Sequence, residues 1–164
     1  MGHDFDDLDL KILEILQQDA RISKADLARK VSLSGPGVGK RLKKLEEAGA
    51  IAHYGASVNW EALGLSLLCF IHISFDHHDP ERVRAFEENI RSVPEVLECH
   101  HITGEHDYLV KAVTTTPRKL EEFLIAHFTS VREVRWLRTS VVLRTIKDST
   151  VIRFDGREPP ASES

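Results

Sequence analysis

The chain has 164 residues, of which 41% are hydrophobic and 29% charged, the composition of an ordinary soluble protein with one or two domains. No apolar run approaches the roughly 20 residues that span a bilayer, and the acidic first ten residues lack the features of a secretory signal. The two cysteines, Cys69 and Cys99, are therefore expected to stay reduced in the cytoplasm rather than to form a disulfide.

The net charge of −4 is unevenly distributed along the chain. Between Arg21 and Lys44 there are eight basic residues and a single acid, Asp26, so this stretch carries +7 and the rest carries −11. Most charge runs are only solvated helix faces. However, a basic patch on an acidic body attracts a polyanion in one orientation, so the concentration of charge favours a nucleic-acid surface.

Three short helices are predicted in the first fifty residues. Apolar residues at helical spacing indicate a helix over 7–18, and Ser23 and Ser34 are N-cap residues for the second and third helices. Only the turn Ser32-Leu33 separates these two helices, and the third is basic. This is the helix-turn-helix arrangement, in which the second helix enters the major groove of DNA.

From residue 67 the pattern becomes that of strands alternating with helices. The predicted strands are 67–75, 96–103, 108–114 and 134–146, and proline-initiated helices begin at Pro80 and Pro117. The order β-α-β-β-α-β is that of a ferredoxin-like sandwich, with two helices over an antiparallel four-stranded sheet. The predicted fold class is therefore α+β.

The predicted domain organisation has four parts. A helix-turn-helix domain occupies 1–52, an extended linker 53–64, a ferredoxin-like domain 65–150 and a C-terminal tail 151–164. Residues 155–164, DGREPPASES, are polar and proline-containing, so we expect them to be disordered.

The glycine-rich stretch SGPGVGKRLKK, residues 34–44, has two interpretations. A phosphate-binding P-loop would need a glycine in place of Ser34 and a hydroxyl residue in place of Arg41, so we disfavour it. As a helix capped by Ser34, the stretch places Gly37, Lys40, Arg41 and Lys44 on one face and its apolar residues on the other. One face then packs and the other can contact DNA.

The predicted DNA-binding residues lie on the second and third helices. We expect the basic side chains to contact phosphates or base edges, and the cap residues to hold the backbone. They are Ser23, Lys24, Ser34, Gly37, Lys40, Arg41, Lys43 and Lys44.

Two stretches resemble one known family. They are LDLKILEILQQDARISKADLARKVSLSGPGVGKRLKKLEEAGAI, from Leu8 to Ile51, and TGEHDYLV, from Thr103 to Val110. Together they look like the Lrp/AsnC transcription factors, the leucine-responsive regulatory protein and asparagine regulator family, over nearly all of residues 7–150. The resemblance implies a sequence-specific DNA-binding regulator without catalysis, in which the ferredoxin-like domain binds an effector and forms oligomers.

The resemblance also implies where partners bind. Family members are homodimers that often assemble into octamers or similar rings, and their effectors are usually amino acids bound between dimers near a Gly-x-x-Asp-Tyr turn. The implied effector-site residues are Gly104, Glu105, His106, Asp107 and Tyr108 in the turn, with Thr139 and Ser140 from a neighbouring subunit. The glycine lets backbone amides face a carboxylate, and Asp107 can pair with an ammonium group.

Other interpretations of these features remain open. The turn could simply close the sheet in an effector-independent oligomeric regulator, since some family members bind no amino acid. A sirohaem-decarboxylase-like tetrapyrrole enzyme resembles the family in both halves, but a proline-rich second helix is typical of it, and the sequence here is DARISKAD.

The histidine-rich stretch CHHITGEHD, residues 99–107, raises the question of a metal site. On a strand Cys99 and His101 point to one side and His100 to the other, so the ligands do not converge. We therefore expect these histidines in the sheet and its interface, with no metal and no cofactor.

Overall fold

The computed structural model describes residues 5–76, 80–129 and 134–154. They fall in two compact units, one formed by the described residues of Met1–Ser57 and Lys147–Ser164 and the other by those of Val58–Ile146. No helix within the described ranges is both long enough and apolar enough to cross a membrane.

Three helices make up most of the first unit: α1 (Asp7–Gln18), α2 (Lys24–Lys30) and α3 (Gly35–Glu47). Each begins at a side-chain cap, because the oxygens of Asp6, Ser23 and Ser34 accept hydrogen bonds from backbone amides three residues ahead. The polypeptide leaves α3 through Gly49, whose φ of 70° is in the left-handed region that glycine adopts without strain. These three helices confirm the predicted helix-turn-helix domain.

The core of the first unit lies where the three helices meet. Ile12 of α1, Leu27 of α2, and Val38 and Leu45 of α3 are all at most 1% exposed. Each helix therefore contributes one apolar stripe, and α3 is held by residues on a single side of its axis.

A C-terminal segment packs on α1 within the same unit. The side-chain amide of Gln17 donates to the carbonyl of Ile152 at 3.0 Å, and its oxygen accepts from the Ile152 amide at 2.7 Å. The amide of Phe154 donates to Glu14 at 3.1 Å. Ile152 and Phe154 of the predicted tail are thus hydrogen-bonded to the first helix, while residues 155–164, predicted to be disordered, lie outside the described residues.

The second unit is the predicted ferredoxin-like domain. Its strands lie in the order β2-β3-β1-β4, and all three neighbouring pairs are antiparallel. The elements are β1 (Leu67–Phe75), α4 (Pro80–Arg91), β2 (Val96–His101), β3 (Tyr108–Thr114), α5 (Pro117–Leu124), a π-helical turn at Ile125–Thr129, and β4 (Val134–Val141). The fold class is confirmed.

The core of this unit lies between the sheet and the two helices. Alternate residues of the central strand β1, namely Cys69, Ile71 and Ile73, are completely buried, and Phe86 of α4 and Phe123 of α5 pack against the same cluster. The opposite face of β1 carries the half-buried residues Phe70, His72 and Ser74.

Two strands end earlier than predicted. β4 ends at Val141 rather than at 146, because β1 begins at Leu67 and the last bond between the strands runs from the Val142 amide to the Leu68 carbonyl. β2 ends at His101 rather than at 103, because the Ile102 amide already closes the hairpin by donating to the Asp107 carbonyl. Both ends are set by the partner strand.

Candidate nucleic-acid interface and effector site

The start of α3 presents an uncovered helix N-terminus. Ser34 has an extended backbone, and its Oγ accepts a hydrogen bond from the Gly37 amide at 3.2 Å. Pro36 lies in the first turn, where the missing amide hydrogen costs no helical bond. The helix dipole makes this end favourable for an anion such as a DNA phosphate.

The four basic residues of α3 separate into two pairs. Lys40 is exposed and forms no ion pair with any residue in the described ranges. Lys43 is also exposed, and its Nζ lies 3.6 Å from an oxygen of Glu47, a long contact between two solvated groups that contributes little. These two side chains are available to a partner.

Arg41 and Lys44 instead contact α1. The Arg41 guanidinium lies 2.7 Å from Asp6 Oδ1, Asp6 Oδ2 and Asp9 Oδ1, and the Lys44 Nζ lies 2.7 Å from Asp9 Oδ2. The Lys44 ammonium also lies 5.5 Å from the centre of the Phe5 ring. We call Asp6, Asp9, Arg41 and Lys44 the Asp9 cluster.

The pKa values of Arg41 and Asp6 are both shifted by their contacts within the Asp9 cluster. Arg41 has a pKa above its ordinary value, mainly because it donates to Asp6 and then to Asp9. Partial burial on its own would raise the pKa of Asp6, but hydrogen bonds from Arg41 and from the Asp9 amide outweigh it and the pKa lies below its usual value. Both shifts favour the charged forms of Arg41 and Asp6.

The remaining predicted DNA-binding residues lie on α2. Ser23 caps this helix, since its Oγ accepts from the Asp26 amide at 3.0 Å and donates to the Asp26 carboxylate at 2.6 Å. Lys24 is exposed in the first turn, while Arg29 pairs with Asp26.

The sequence interpretation missed Asp6 and Asp9. A capping box between the two, at a spacing of three residues, was the available signal.

The turn between β2 and β3 is tied to the end of β1. Its Gly104 has a φ of 116°, a conformation that residues with side chains rarely adopt. Asp107 donates its amide to the Ile73 carbonyl at 2.9 Å and accepts the Phe75 amide on Oδ2 at 2.8 Å. The Asp107 carboxylate therefore fixes the turn to β1, in addition to any role in binding an ammonium group.

Glu105 and His106 lie in the same turn, against the outer face of the sheet. The Ser74 hydroxyl lies 3.1 Å from His106 Nδ1 and donates to the Glu105 carbonyl at 3.4 Å. The His106 ring stacks on Trp136, with ring centres 4.5 Å apart and planes 10° from parallel. Glu105 is exposed, so its carboxylate faces solvent.

Tyr108 points to the other side of the sheet. It is 3% exposed, its ring packs edge-on against Phe75 and Phe86, and its hydroxyl donates to Glu87 at 2.8 Å. Burial and then the neighbouring Glu87 carboxylate raise the pKa of Tyr108 well above its ordinary value, so the hydroxyl remains a donor. In this structure its contacts are those of a core residue.

Thr139 and Ser140 of β4 lie beside the middle of β1. Thr139 pairs with Ile71 and Ser140 with Phe70, whereas the turn is bonded to β1 at Ile73, Ser74 and Phe75. At about 3.3 Å per residue, Ile71 and Ile73 are roughly 7 Å apart. Within one chain these hydroxyl residues therefore lie beside the strand next to the turn rather than in the turn.

The remaining histidines of β2 have partners of other kinds. His100 lies 3.3 Å from a Glu98 carboxylate oxygen, and the His101 ring stacks on Tyr108 with ring centres 4.9 Å apart. Within the described ranges, no three histidine, cysteine or carboxylate side chains converge as metal ligands.

Models of two known protein families match the two units of the chain. A model described as a winged helix-turn-helix DNA-binding domain matches residues 5–52, which contain α1, α2 and α3. A model described as the Lrp/AsnC ligand binding domain matches residues 68–152, which contain both helices and all of the sheet except Leu67.

Individual relatives match over nearly their whole lengths. A leucine-responsive regulatory protein from Rhizobium meliloti is 36% identical over 92% of this chain and 97% of its own. A proline dehydrogenase transcriptional activator from Rhizobium radiobacter is 34% identical over 90% of this chain and 95% of its own. Among solved structures, a transcriptional regulator from Neisseria meningitidis in complex with L-Met has a TM-score of 0.87 and 34% identity, with coverage of 93% and 98%.

Proposed function

The chain belongs to the Lrp/AsnC family of transcriptional regulators, and we propose that it binds specific sites on double-stranded DNA through α3 and that an amino acid modulates this binding. We assign it no catalytic activity and place it in the cytoplasm, where its DNA lies. Its relatives are named as regulators rather than enzymes.

One observation carries the DNA-binding proposal. The exposed side of α3 combines an uncovered N-terminus, capped by Ser34, with the two outward lysines Lys40 and Lys43. The positive end of the helix dipole and the two lysines all attract the negatively charged phosphates of DNA. Lys24, in the first turn of α2, adds a further exposed cation.

The salt dependence of DNA binding tests this proposal. A duplex from the protein's own upstream region is titrated with the chain at several salt concentrations, with fluorescence anisotropy as the readout. Lys40→Ala should weaken binding and reduce the slope of log K against log salt by about 1, because one phosphate contact is lost. Lys11→Ala removes an exposed lysine of α1 and is the matched control. Equal slopes for both variants would refute the assignment of α3.

For the effector, we propose an amino acid bound at the turn of Gly104, Glu105, His106 and Asp107. Support comes from the Neisseria relative, which was solved with L-Met, and from the turn itself, where a glycine with positive φ lies beside two carboxylates. A carboxylate pairs with the ammonium group of an amino acid, and backbone amides donate hydrogen bonds to its carboxylate.

A thermal-shift panel of the twenty amino acids tests the effector proposal. A ligand that binds only the folded protein raises its melting temperature, by an amount that grows with its concentration. Glu105→Gln should reduce the shift without lowering the melting temperature of the free protein, because Glu105 is exposed. If no amino acid gives a shift, the protein is an effector-independent regulator.

We further propose that the protein is a homodimer that assembles into an octamer or a similar ring. The resemblance to the family takes Thr139 and Ser140 of the effector site from a neighbouring subunit, and in one chain they lie beside Ile71 and Phe70 rather than in the turn. Light scattering across a concentration series measures the assembly. A monomer at all concentrations would refute this proposal.

A further inference from the structure

We propose that Asp9 is a positioning residue for DNA binding: it fixes the rotation of α3 so that Lys40 and Lys43 face the duplex, and it holds Arg41 and Lys44 away from it. This inference rests on the proposed function, in which α3 contacts DNA. It divides the basic residues of α3 into two groups that a sequence cannot distinguish.

The geometry around Asp9 supports this role. The side chain is completely buried, and each oxygen accepts from a different cation of α3, Oδ1 from Arg41 and Oδ2 from Lys44, both at 2.7 Å. These cations are three residues apart and thus neighbours on one helix face. A single rigid carboxylate bonded to both limits the rotation of α3 and its translation along its axis.

Asp6 strengthens the same connection. Both of its oxygens lie 2.7 Å from the Arg41 guanidinium, and its amide donates to Asp9 Oδ2 at 3.3 Å. Two carboxylates therefore face two cations, and the Asp9 cluster has no net charge. Moving either cation to a phosphate would leave the buried Asp9 carboxylate with an incomplete set of partners, a costly state in a protein interior.

The rotation that results presents one specific face of α3. At 100° per residue, Lys43 lies 60° to one side of Lys40 and Lys44 lies 40° to the other side, with Arg41 100° away. The Lys44 side chain is 44% exposed, so its ion pair with Asp9, and not its angular position, directs its ammonium toward α1. The sequence interpretation had placed Lys40, Arg41 and Lys44 on a single DNA-facing side. In the structure the outward face is centred between Lys40 and Lys43.

The test compares salt slopes and specificity for variants of the full chain. Each protein is titrated with the upstream duplex and with a random duplex of equal length. Lys40→Ala and Lys43→Ala should each lower the slope by about 1, whereas Arg41→Ala and Lys44→Ala should leave it unchanged because neither side chain contacts a phosphate. A fall of about 1 for Arg41→Ala or Lys44→Ala would overturn the proposal.

Asp9→Asn gives the second readout. The amide keeps the size of the carboxylate but releases both cations, so the slope on random DNA should rise by about 1 to 2. The ratio of specific to random affinity should fall about tenfold, a loss within the range caused by one mismatched base pair. If Asp9 had a purely structural role, Asp9→Asn would weaken DNA binding without raising the slope of log K against log salt.

Two further results separate the possible outcomes. The triple variant Asp9→Asn, Arg41→Ala, Lys44→Ala should return the slope to that of the wild type, because no released cation remains. A slope that stays high would overturn the proposal. If Lys40→Ala and Lys43→Ala also leave the slope unchanged, the DNA surface itself is wrongly assigned and the proposed function fails, independently of the Asp9 cluster.

Discussion

Replacing Gly39 by alanine should raise the stability of the helix-turn-helix unit while lowering its affinity for DNA. Gly39 lies inside α3, where glycine is less favourable than alanine by about 0.5–1 kcal/mol. A Cβ added at this position meets no atom within 4 Å, so no clash offsets the gain. For a unit of this size, about 1 kcal/mol corresponds to about 4–8 °C in Tm.

The loss of affinity follows from the position of Gly39 on the helix. At 100° per residue it lies 100° from Lys40 and only 40° from Lys43, at the edge of the outward side of α3, and it is partly exposed. A methyl group there separates the helix backbone from the duplex. We expect a loss of about 1–3 kcal/mol, as for one mismatched base pair, although the protein itself is more stable.

Thermal melts and anisotropy titrations on the same preparations measure the two effects separately. Gly37→Ala is the matched comparison, because its Cβ would lie 3.2 Å from the Ser34 Oγ that caps the helix. This variant should be less stable than Gly39→Ala. If Gly39→Ala raises Tm and leaves DNA affinity unchanged, the outward face of α3 is not in contact with the duplex.

Three other predictions follow from contacts described above. Tyr108→Phe removes the hydrogen bond to Glu87 and should lower the free energy of unfolding by about 0.5–1.5 kcal/mol, measured in urea, without changing any effector-induced thermal shift. The pKa of Asp6 is lower in the folded than in the unfolded state, so its stabilisation is present above the unfolded value and is lost as the pH falls through the folded value. Asp6→Asn should therefore reduce the fall of the urea midpoint below about pH 4. Gln17→Ala removes both hydrogen bonds to Ile152 and should speed hydrogen exchange of that amide, whereas unchanged exchange would show that the segment is held by other contacts.

Elements with local signals could be predicted from the sequence. The serine caps at Ser23 and Ser34 and the apolar periodicity located α2 and α3, and the apolar run 67–75 matches β1 at both ends. A cap and a helical stripe are set by residues within about four positions of each other, so the sequence contains the relevant information. The ends of β2 and β4 depend on a partner strand and were predicted less well.

The Asp9 cluster shows why the site could be predicted only in part. Arg41 and Lys44 have the charge and helical spacing expected of DNA-binding residues, but their partner Asp9 lies 32 and 35 residues earlier in the chain. A charge pattern reports the sign of a side chain and not its partner. The sequence shows an aspartate between Leu8 and Leu10, but only the fold shows that this aspartate is completely buried.

The proposed effector turn divides in a similar way between residues that build it and residues that face outward. Asp107 is hydrogen-bonded to the Phe75 amide and the Tyr108 side chain is buried in the core, so both shape the turn whether or not a ligand is present. Glu105 is exposed, and His106 lies beside Trp136 on the outer face of the sheet. Asp107 and Tyr108 therefore maintain the hairpin, His106 is held by Ser74 and Trp136, and Glu105 is the residue of the proposed effector site whose side chain faces solvent.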